Sequence, residues 1–475
     1  MKRFVVSVLA ALMLLSLAGC GASSGGGENT ISLNGSTAEV KGVGLSAKEG
    51  IVTVSSAGTY RISGKLDQGQ IFVNTGEAAG DVILVLAGAE ISNSSDAAIY
   101  VQQAKNVYIQ LEEGTDNALV SGTEADFDAA DGSASGAAVY SEDDLIITGE
   151  GVLRVSGFIN NGIACKDDLD IESGIITVVA ANNGIRGSES VEINGGNIAV
   201  TAKNDGIKST SADKADKGFV TVNGGIISVV TGGDGIAAET VLTVNGGELS
   251  IVTEGDPAAQ SCKALKAKTG LDINGGTLSL NSNDHGIHSA AALNISSGDI
   301  MLVVNDGKGI AAHENISISG GSLLINAVSD GIETPADILI SGGNVNIISG
   351  EDGLRAGEAN SGKGSLLVSG GDIYVSAAKG GIDVKDKLDI SGGSLMALGK
   401  SNKAQTYAAS QPYILCPWTS GANGDTVSVS ISGSELASMK ASNAYKSVFY
   451  TAAELESGAE YSVSNVKKQE NAIAG

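Results

Sequence analysis

A glycine signature that returns about every twenty-two residues constrains this chain more than any other feature. The second glycine of an N-G-G or S-G-G triplet falls at Gly196, Gly225, Gly247, Gly276, Gly321, Gly343, Gly371 and Gly393, with degenerate copies at Gly151, Gly174 and Gly298. Successive steps are 23, 22, 29, 22, 29, 22, 23, 22, 28 and 22 residues, so three insertions interrupt a period near 22. A fixed period of this length marks a repeat in which each unit buries its apolar face only by stacking on its neighbours. Within "ETVLTVNGGELSIV", residues 239–252, Leu242 and Val244 precede the glycines and Leu249 and Ile251 follow them. That alternation is the two-residue period of short half-buried strands.

A second signature, D-G-I at Asp234 to Ile236, adds a third apolar segment to each repeat. Three short strands joined by glycine corners make one coil of a parallel β-helix, where glycine accepts positive φ and avoids a Cβ clash. An amphipathic-helix reading fails because the 3.6-residue period is absent and Gly numbers 67 of 475. The expected fold is therefore all-β, a single-stranded solenoid of about 22 residues per coil with β caps at both ends. The regular coils are assigned to 131–404 and the early, less regular coils with an N-terminal cap to 30–130. Pro412, Pro417 and Trp418 open a C-terminal capping β element over 405–465, and 466–475 reads as a loose polar tail. The insertions run from Ser209 to Gly218, Glu254 to Cys262 and Gly357 to Gly364, and reflect either a binding face or drift at a tolerant position.

The first nineteen residues, with Lys2 and Arg3 before the apolar run Phe4 to Leu17, form an expected signal peptide. L-A-G-C at 17–20 resembles a bacterial lipobox, implying lipid on Cys20 and a flexible tether over 20–29 that leaves the protein anchored at the extracytoplasmic membrane face. The chain carries 54 acidic against 29 basic residues, a net charge of −25. Loss of Lys2 and Arg3 makes the remainder still more negative, which argues against nucleic-acid partners. Cys165, Cys262 and Cys416 do not form an even disulfide framework and read as small buried residues.

In stacked coils, equivalent residues lie about 4.8 Å apart, so the sequence can be read down columns. Before the glycine of D-G-I stand Asn161, Asn183, Asp205, Asp234, Lys263, His285, Lys308, Asp330, Asp352 and Gly380. Asn and Asp suit such corners by accepting backbone hydrogen bonds. Stacked carboxylates repel, however, and Ca²⁺ would relieve that at Asp205 with Asp234 and Asp330 with Asp352, helped by Glu239 or Glu333. A second acid column places Asp143 over Asp167 and Asp144 over Asp168, serving either as calcium ligands or as a solvated edge that discourages aggregation. The acidic "EADFDAADG" at 124–132 reads as a loop without calcium-loop spacing. Two residues past the glycine run Ala164, Arg186, Lys208, Ala237, Lys266, His288, Ala311, Glu333, Arg355 and Asp383. Arg186, Lys208, Lys266, His288 and Arg355 are candidate glycan contacts, Arg being able to grip carboxylates bidentately; the alternative is an ordinary solvated face. The three histidines lack a transition-metal frame, and no nucleophile elbow, phosphate loop or dinucleotide fingerprint has a credible context.

"YRISGKLDQGQIFVN", "AAVYSEDDLIITGEGVLRVSG", "NNGIACKDDLDIESG" and "AYKSVFYTAAELESGAEYSV" together resemble a family of bacterial carbohydrate-binding, right-handed parallel β-helix proteins over about residues 30–465. The resemblance implies calcium-dependent binding of plant cell-wall polysaccharides, pectate and cellulose in particular, on a fold similar to family 9 pectate lyases. It supports calcium at Asp205, Asp234, Asp330 and Asp352. Lys263, His285 and Lys308 depart from the acid or amide expected there. The leading expectation is a monomeric, non-catalytic polysaccharide binder. A polysaccharide lyase is the alternative, with Lys263, Lys308 or Lys208 as base once neutral, and a structural surface rod is the third reading. Fold likeness alone transfers no catalysis.

Overall fold

The computed structural model describes residues 28–76, 80–129, 136–212, 216–358, 364–407, 410–465 and 467–475. The leader 1–19, Cys20 and the tether up to 27 lie outside them, as do parts of two insertions.

The repeats form three ladders of parallel strands. A single repeat contributes Val241–Val244, Glu248–Thr253 and, after the insertion, Leu265–Ala267. The first strand pairs with Phe219–Val222 behind it and Gly270–Ile273 ahead. The second pairs with Ile226–Thr231 and Thr277–Ser282. The third pairs with Ile236–Ala238 and Ile287–Ser289. The first two ladders count as one 28-stranded sheet because strands such as Ile338–Ser349 run unbroken through the glycine corner; the third is a separate 16-stranded sheet. Alternate side chains point into a common core. The residue after D-G stacks from coil to coil as Ile185, Ile207, Ile236, Leu265, Ile287, Ile310, Ile332, Leu354 and Ile382, each fully buried. Each such side chain contributes roughly 1.5–3 kcal/mol relative to exposure.

The two glycine signatures do different jobs. Gly247, second in N-G-G, has φ +93, a left-handed conformation that side chains resist. Gly206 of D-G-I does not need positive φ. A Cβ there would lie 2.3 Å from Val229 Cγ1 and 2.6 Å from the Gly235 carbonyl, so close packing demands it. This corrects the expectation that both corners turn on positive φ. The asparagine of N-G-G also has a role: Asn223 donates to Asn194 (2.7 Å), Asn245 to Asn223 (2.8 Å) and Asn274 to Asn245 (2.9 Å), an amide ladder down one corner.

Parallel pairing begins before the glycine signature does. Gly58–Leu66 lies between Asn29–Gly35 and Val82–Asn93, all parallel. Antiparallel hairpins formed with Thr37–Lys41 and Leu45–Lys48 close that end. At the other end, Lys387–Gly399 and Tyr413–Gly421 pair antiparallel with Tyr445–Thr451, followed by a four-stranded antiparallel sheet. Two expectations fail here. The tail is not loose: Lys468–Ile473 pairs with Glu460–Asn465, and Asn465 Oδ1 accepts the Lys467 and Lys468 amides (both 2.9 Å) to fix the turn. Its polar residues alternate along a half-solvated strand instead of signalling disorder. Likewise Glu124–Ala129 forms a short helix where a loop was expected, with Asp126 accepting the Thr123 amide (2.7 Å) at its start. Cys165, Cys262 and Cys416 are free and buried.

Candidate functional site

Both columns occur as read. In the outer one, Ala164, Arg186, Lys208, Ala237, Lys266, His288, Ala311, Glu333, Arg355 and Asp383 are cross-strand partners in succession along the third ladder. The in-register stacking follows from parallel pairing, which repeats one side chain's position on every coil.

The inner column is a hydrogen-bonded ladder. Asn161 Oδ1 accepts the Asn183 amide (3.2 Å), Asn183 Oδ1 the Asp205 amide (3.3 Å), Asp205 Oδ1 the Asp234 amide (2.8 Å) and Asp234 Oδ1 the Lys263 amide (2.9 Å). The same bond recurs from Asp352 to Asp330 (2.9 Å) and from Gly380 to Asp352 (2.7 Å). Thus one carboxylate oxygen serves the backbone of the next coil. The other faces the outer column. Lys208 reaches Asp205 (2.6 Å), Lys266 reaches Asp234 (2.7 Å) and Arg355 reaches Asp330 (3.2 Å). Ser261, delivered by the second insertion, also donates to Asp234 (2.6 Å). Asp205, Asp234 and Asp330 are therefore neutralised from the protein's own outer column, whereas Asp352 has no basic partner among the described residues and burial raises its carboxyl.

This bears on calcium. Among the described residues, no group of three or more His, Cys, Asp or Glu side chains is placed to hold a metal ion. At Asp205, Asp234 and Asp330 the oxygens are already taken by amides, Ser261 and basic side chains. Glu239 and Glu333 are ion-paired with Lys268 and Lys308. This donor set does not fit a hard cation without displacing those partners. The second acid column is less compensated. Asp168 accepts Ser190 (2.7 Å) and Lys217 (2.8 Å), and Lys217 also pairs with Glu189 (2.9 Å). Asp143 accepts the Ala104 amide (2.7 Å) and Asp144 the Asp168 amide (3.3 Å). Burial, then neighbouring carboxylates, push the Asp167 carboxyl above its ordinary range; burial chiefly does so at Asp144.

The candidate bases are held in ion pairs. Lys263 meets Asp284, Lys308 meets Glu333 and Lys208 meets Asp205. Lys308 has its pKa lowered by burial, an effect opposed by Asp330 and reinforced by Arg355. His288 packs between the rings of His285 (5.6 Å) and His313 (5.4 Å). Burial and then the nearby Lys263, His285 and His313 bring it down to about 4, so at neutral pH it is an uncharged contact.

Sequence reading missed what precedes Ala164 in the outer column. Tyr140 pairs with Ala164, Tyr100 with Tyr140 and Phe72 with Tyr100. Their half-buried rings meet at a tilt, 5.5 Å and 5.6 Å between centroids. The signal was present in "IFVN", "IYVQ" and "VYSE", but those coils lack the glycine pairs that set the register. Between Tyr140 and Arg186 lies a gap of about 370 Å³, bounded also by Gly136, Lys208, Thr210 and the asparagines of the two coils. Arg186 donates to Thr210 Oγ1 (3.2 Å), and among the described residues no carboxylate pairs with it.

All three insertions leave or rejoin the chain at an end of a third-ladder strand, beside this column. Ser209 Oγ donates to the Gly218 carbonyl (2.6 Å) and Thr253 Oγ1 to the Cys262 carbonyl (2.6 Å), closing two of them at the base. Thr210, Lys217 and Ser261 show that they supply side chains to the charged columns.

Comparison with known proteins gives the chemistry a context. A curated protein of Acetivibrio thermocellus, described as a carbohydrate-binding domain-containing protein, is 39% identical over 137 residues. The match covers 29% of this chain, and the chain spans about half (48%) of that relative's length. A solved structure, the polysaccharide lyase-like protein from C. thermocellum as a gadolinium derivative, aligns at 34% identity with a TM-score of 0.47, covering 52% of this chain and 96% of that one. The model of the carbohydrate-binding domain-containing protein family matches residues 48–308 and 301–455. With most of its length so matched and a charged, partly aromatic column in register along its third ladder, the chain belongs to that family.

Proposed function

We propose that this protein binds acidic plant cell-wall polysaccharide of the pectate type, without cleaving it, along the third ladder of a right-handed β-helix. The observation that carries the reading is the outer column, where aromatic rings, an uncompensated arginine and ion-paired bases succeed one another at the spacing of the coils. An extended polyanion meets such a row as a series of repeated contacts, which multiply weak individual interactions. Cellulose is a second ligand of this proposal, and the aromatic steps at Phe72, Tyr100 and Tyr140 support it through apolar sugar faces.

Calcium dependence belongs to the same proposal. It is assigned to the edge carrying Asp143, Asp144 and Asp167, where burial and neighbouring carboxylates raise the Asp144 and Asp167 carboxyls and where the glycan's own carboxylates would have to complete a shell that these side chains do not form alone, and not to Asp205, Asp234 and Asp330. Lipid attachment at Cys20, which lies outside the described residues, would hold the binder at the membrane surface as a monomer. The ion pairs of Lys263, Lys308 and Lys208 leave none of the three ammonium groups facing a ligand alone and speak against β-elimination.

The test is incubation with polygalacturonate and with cellulose, in calcium or in chelator, following both retention and the absorbance of unsaturated uronate. Calcium-dependent retention without new absorbance is expected. Rising absorbance abolished by Lys308→Ala would make the protein a lyase, and absence of both signals would leave the rod reading.

A further inference from the structure

The gap beneath Tyr140 has a composition unlike the rest of the column. We infer that it is a subsite for a single hexuronate unit, with Tyr140 against the sugar ring and Arg186 on the carboxylate. The assignment rests on the polysaccharide-binding reading and locates it.

Three observations converge on it. First, the column narrows to Ala164 between two large side chains, Tyr140 and Arg186, which are its successive cross-strand neighbours. Tyr140 meets the tilted Tyr100 ring at 5.6 Å and the Lys166 ammonium at 5.9 Å, and it borders a space of about 370 Å³. Second, among the described residues Arg186 lacks the carboxylate that Lys208, Lys266 and Arg355 have. Lys208, Lys266 and Arg355 each pair with an aspartate of the inner column. The inner residues beside Arg186 are Asn161 and Asn183, joined amide to amide at 2.9 Å, and these carry no charge to neutralise a guanidinium. The nearest other base to the Tyr140 ring, Lys166, is already paired with Glu142 at 3.0 Å. Third, the remaining wall is lined by amides. Asn182 donates to Asn160 (2.7 Å) and Asn204 to Asn182 (3.0 Å), an ordered, uncharged polar wall that sets no carboxylate beside the guanidinium.

The planar fork of Arg186 matches a carboxylate through two parallel hydrogen bonds, and a carboxylate would complete the charge balance that the asparagines leave open. A sulfate ester shares the negative charge but not the planar two-oxygen face, which is why uronate is the chosen ligand. The flanking Tyr140 face suits the apolar C–H side of a pyranose. In a chain of net charge −25, such an uncovered cation is also where a polyanion approaches with least repulsion.

The experiment is calorimetric titration of the full chain with trigalacturonate, its carboxyl-reduced neutral analogue and a sulfated trisaccharide, repeated for Arg186→Gln, Arg186→Lys and Tyr140→Ala. Retention of every variant on insoluble polygalacturonate and cellulose, with its melting temperature, is recorded alongside. We expect trigalacturonate to bind best. Arg186→Gln should weaken it at least about tenfold, the scale of one charge-assisted hydrogen bond, and Arg186→Lys should recover part of the loss. Tyr140→Ala should weaken both trigalacturonate and its neutral analogue. Unchanged affinities in folded variants of a protein that still binds polygalacturonate would overturn the subsite and leave the broader reading standing. Preference for the sulfated or neutral sugar would overturn it too. Failure of the unaltered protein to bind any polysaccharide would overturn both.

Discussion

Two stretches of the inner column differ by one atom type and behave as different devices. At Asn161 and Asn183, and again at Asp205 and Asp234, the side-chain Oδ1 accepts the backbone amide of the following coil. The ladder is thus indifferent to whether the residue is an amide or an acid. The second polar atom decides the rest. In the amide stretch, the Asn183 Nδ2 donates to Asn161 (2.9 Å), and among the described residues no carboxylate pairs with Arg186. In the acid stretch, each second oxygen holds a lysine, so charge cancels within the protein. One region keeps a cation available to a ligand; the other consumes its cations to stabilise the stack.

Breaking the acid stretch should have the largest effect. Asp234 is nearly buried and accepts from Lys263, Ser261 and Lys266. Asp234→Ala removes all three bonds and leaves polar groups unpaired, costing about 3 kcal/mol in a urea unfolding midpoint experiment. A cost below about 1 kcal/mol would show that the stack is not held by these bonds. Next, Asn183→Asp converts the amide stretch into a copy of the acid one. It should quench Arg186 and cut trigalacturonate affinity about tenfold while leaving the fold intact, as titration calorimetry would show. Asn161→Ala removes only neutral bonds and should cost about 1 kcal/mol by the same urea assay.

The smallest effect concerns a carboxylate stack with no base at all. Asp170 lies beside Glu192 on adjacent strands of the first ladder. Burial first, then Glu192 and Glu172, push its carboxyl up to about 6. A raised carboxyl binds its proton more readily in the folded state, so this group's contribution to stability falls as the pH rises from about 4 to about 6. Asp170→Asn should therefore flatten the stability profile across that window and raise the melting temperature slightly at neutral pH.

Much of this was legible in the sequence for a specific reason. Parallel in-register coils map one position of the repeat onto one column, so the glycine spacing alone placed Asp205 against Asp234 and Lys208 against Ala237. Partner choice was not legible. Lys208 pairs within its own coil; Lys266, whose own inner position is Lys263, reaches back one coil to Asp234, and Arg355 reaches back past Asp352 to Asp330. Stacked carboxylates read in sequence as a metal site, but at Asp205, Asp234 and Asp330 the outer column supplies the relief itself. The aromatic steps escaped notice because no glycine pair fixes the register of residues 50–130. The tail strand escaped because alternating polar residues on a solvated strand resemble disorder until a partner strand is seen.

The account turns on where an acidic sugar lies, and a crystal structure of the protein soaked with trigalacturonate addresses that directly. The account predicts the oligosaccharide along the third ladder, with one carboxylate on Arg186 and its ring against Tyr140. Density on the first or second ladder, or a carboxylate held elsewhere while Arg186 stays bare, would contradict it.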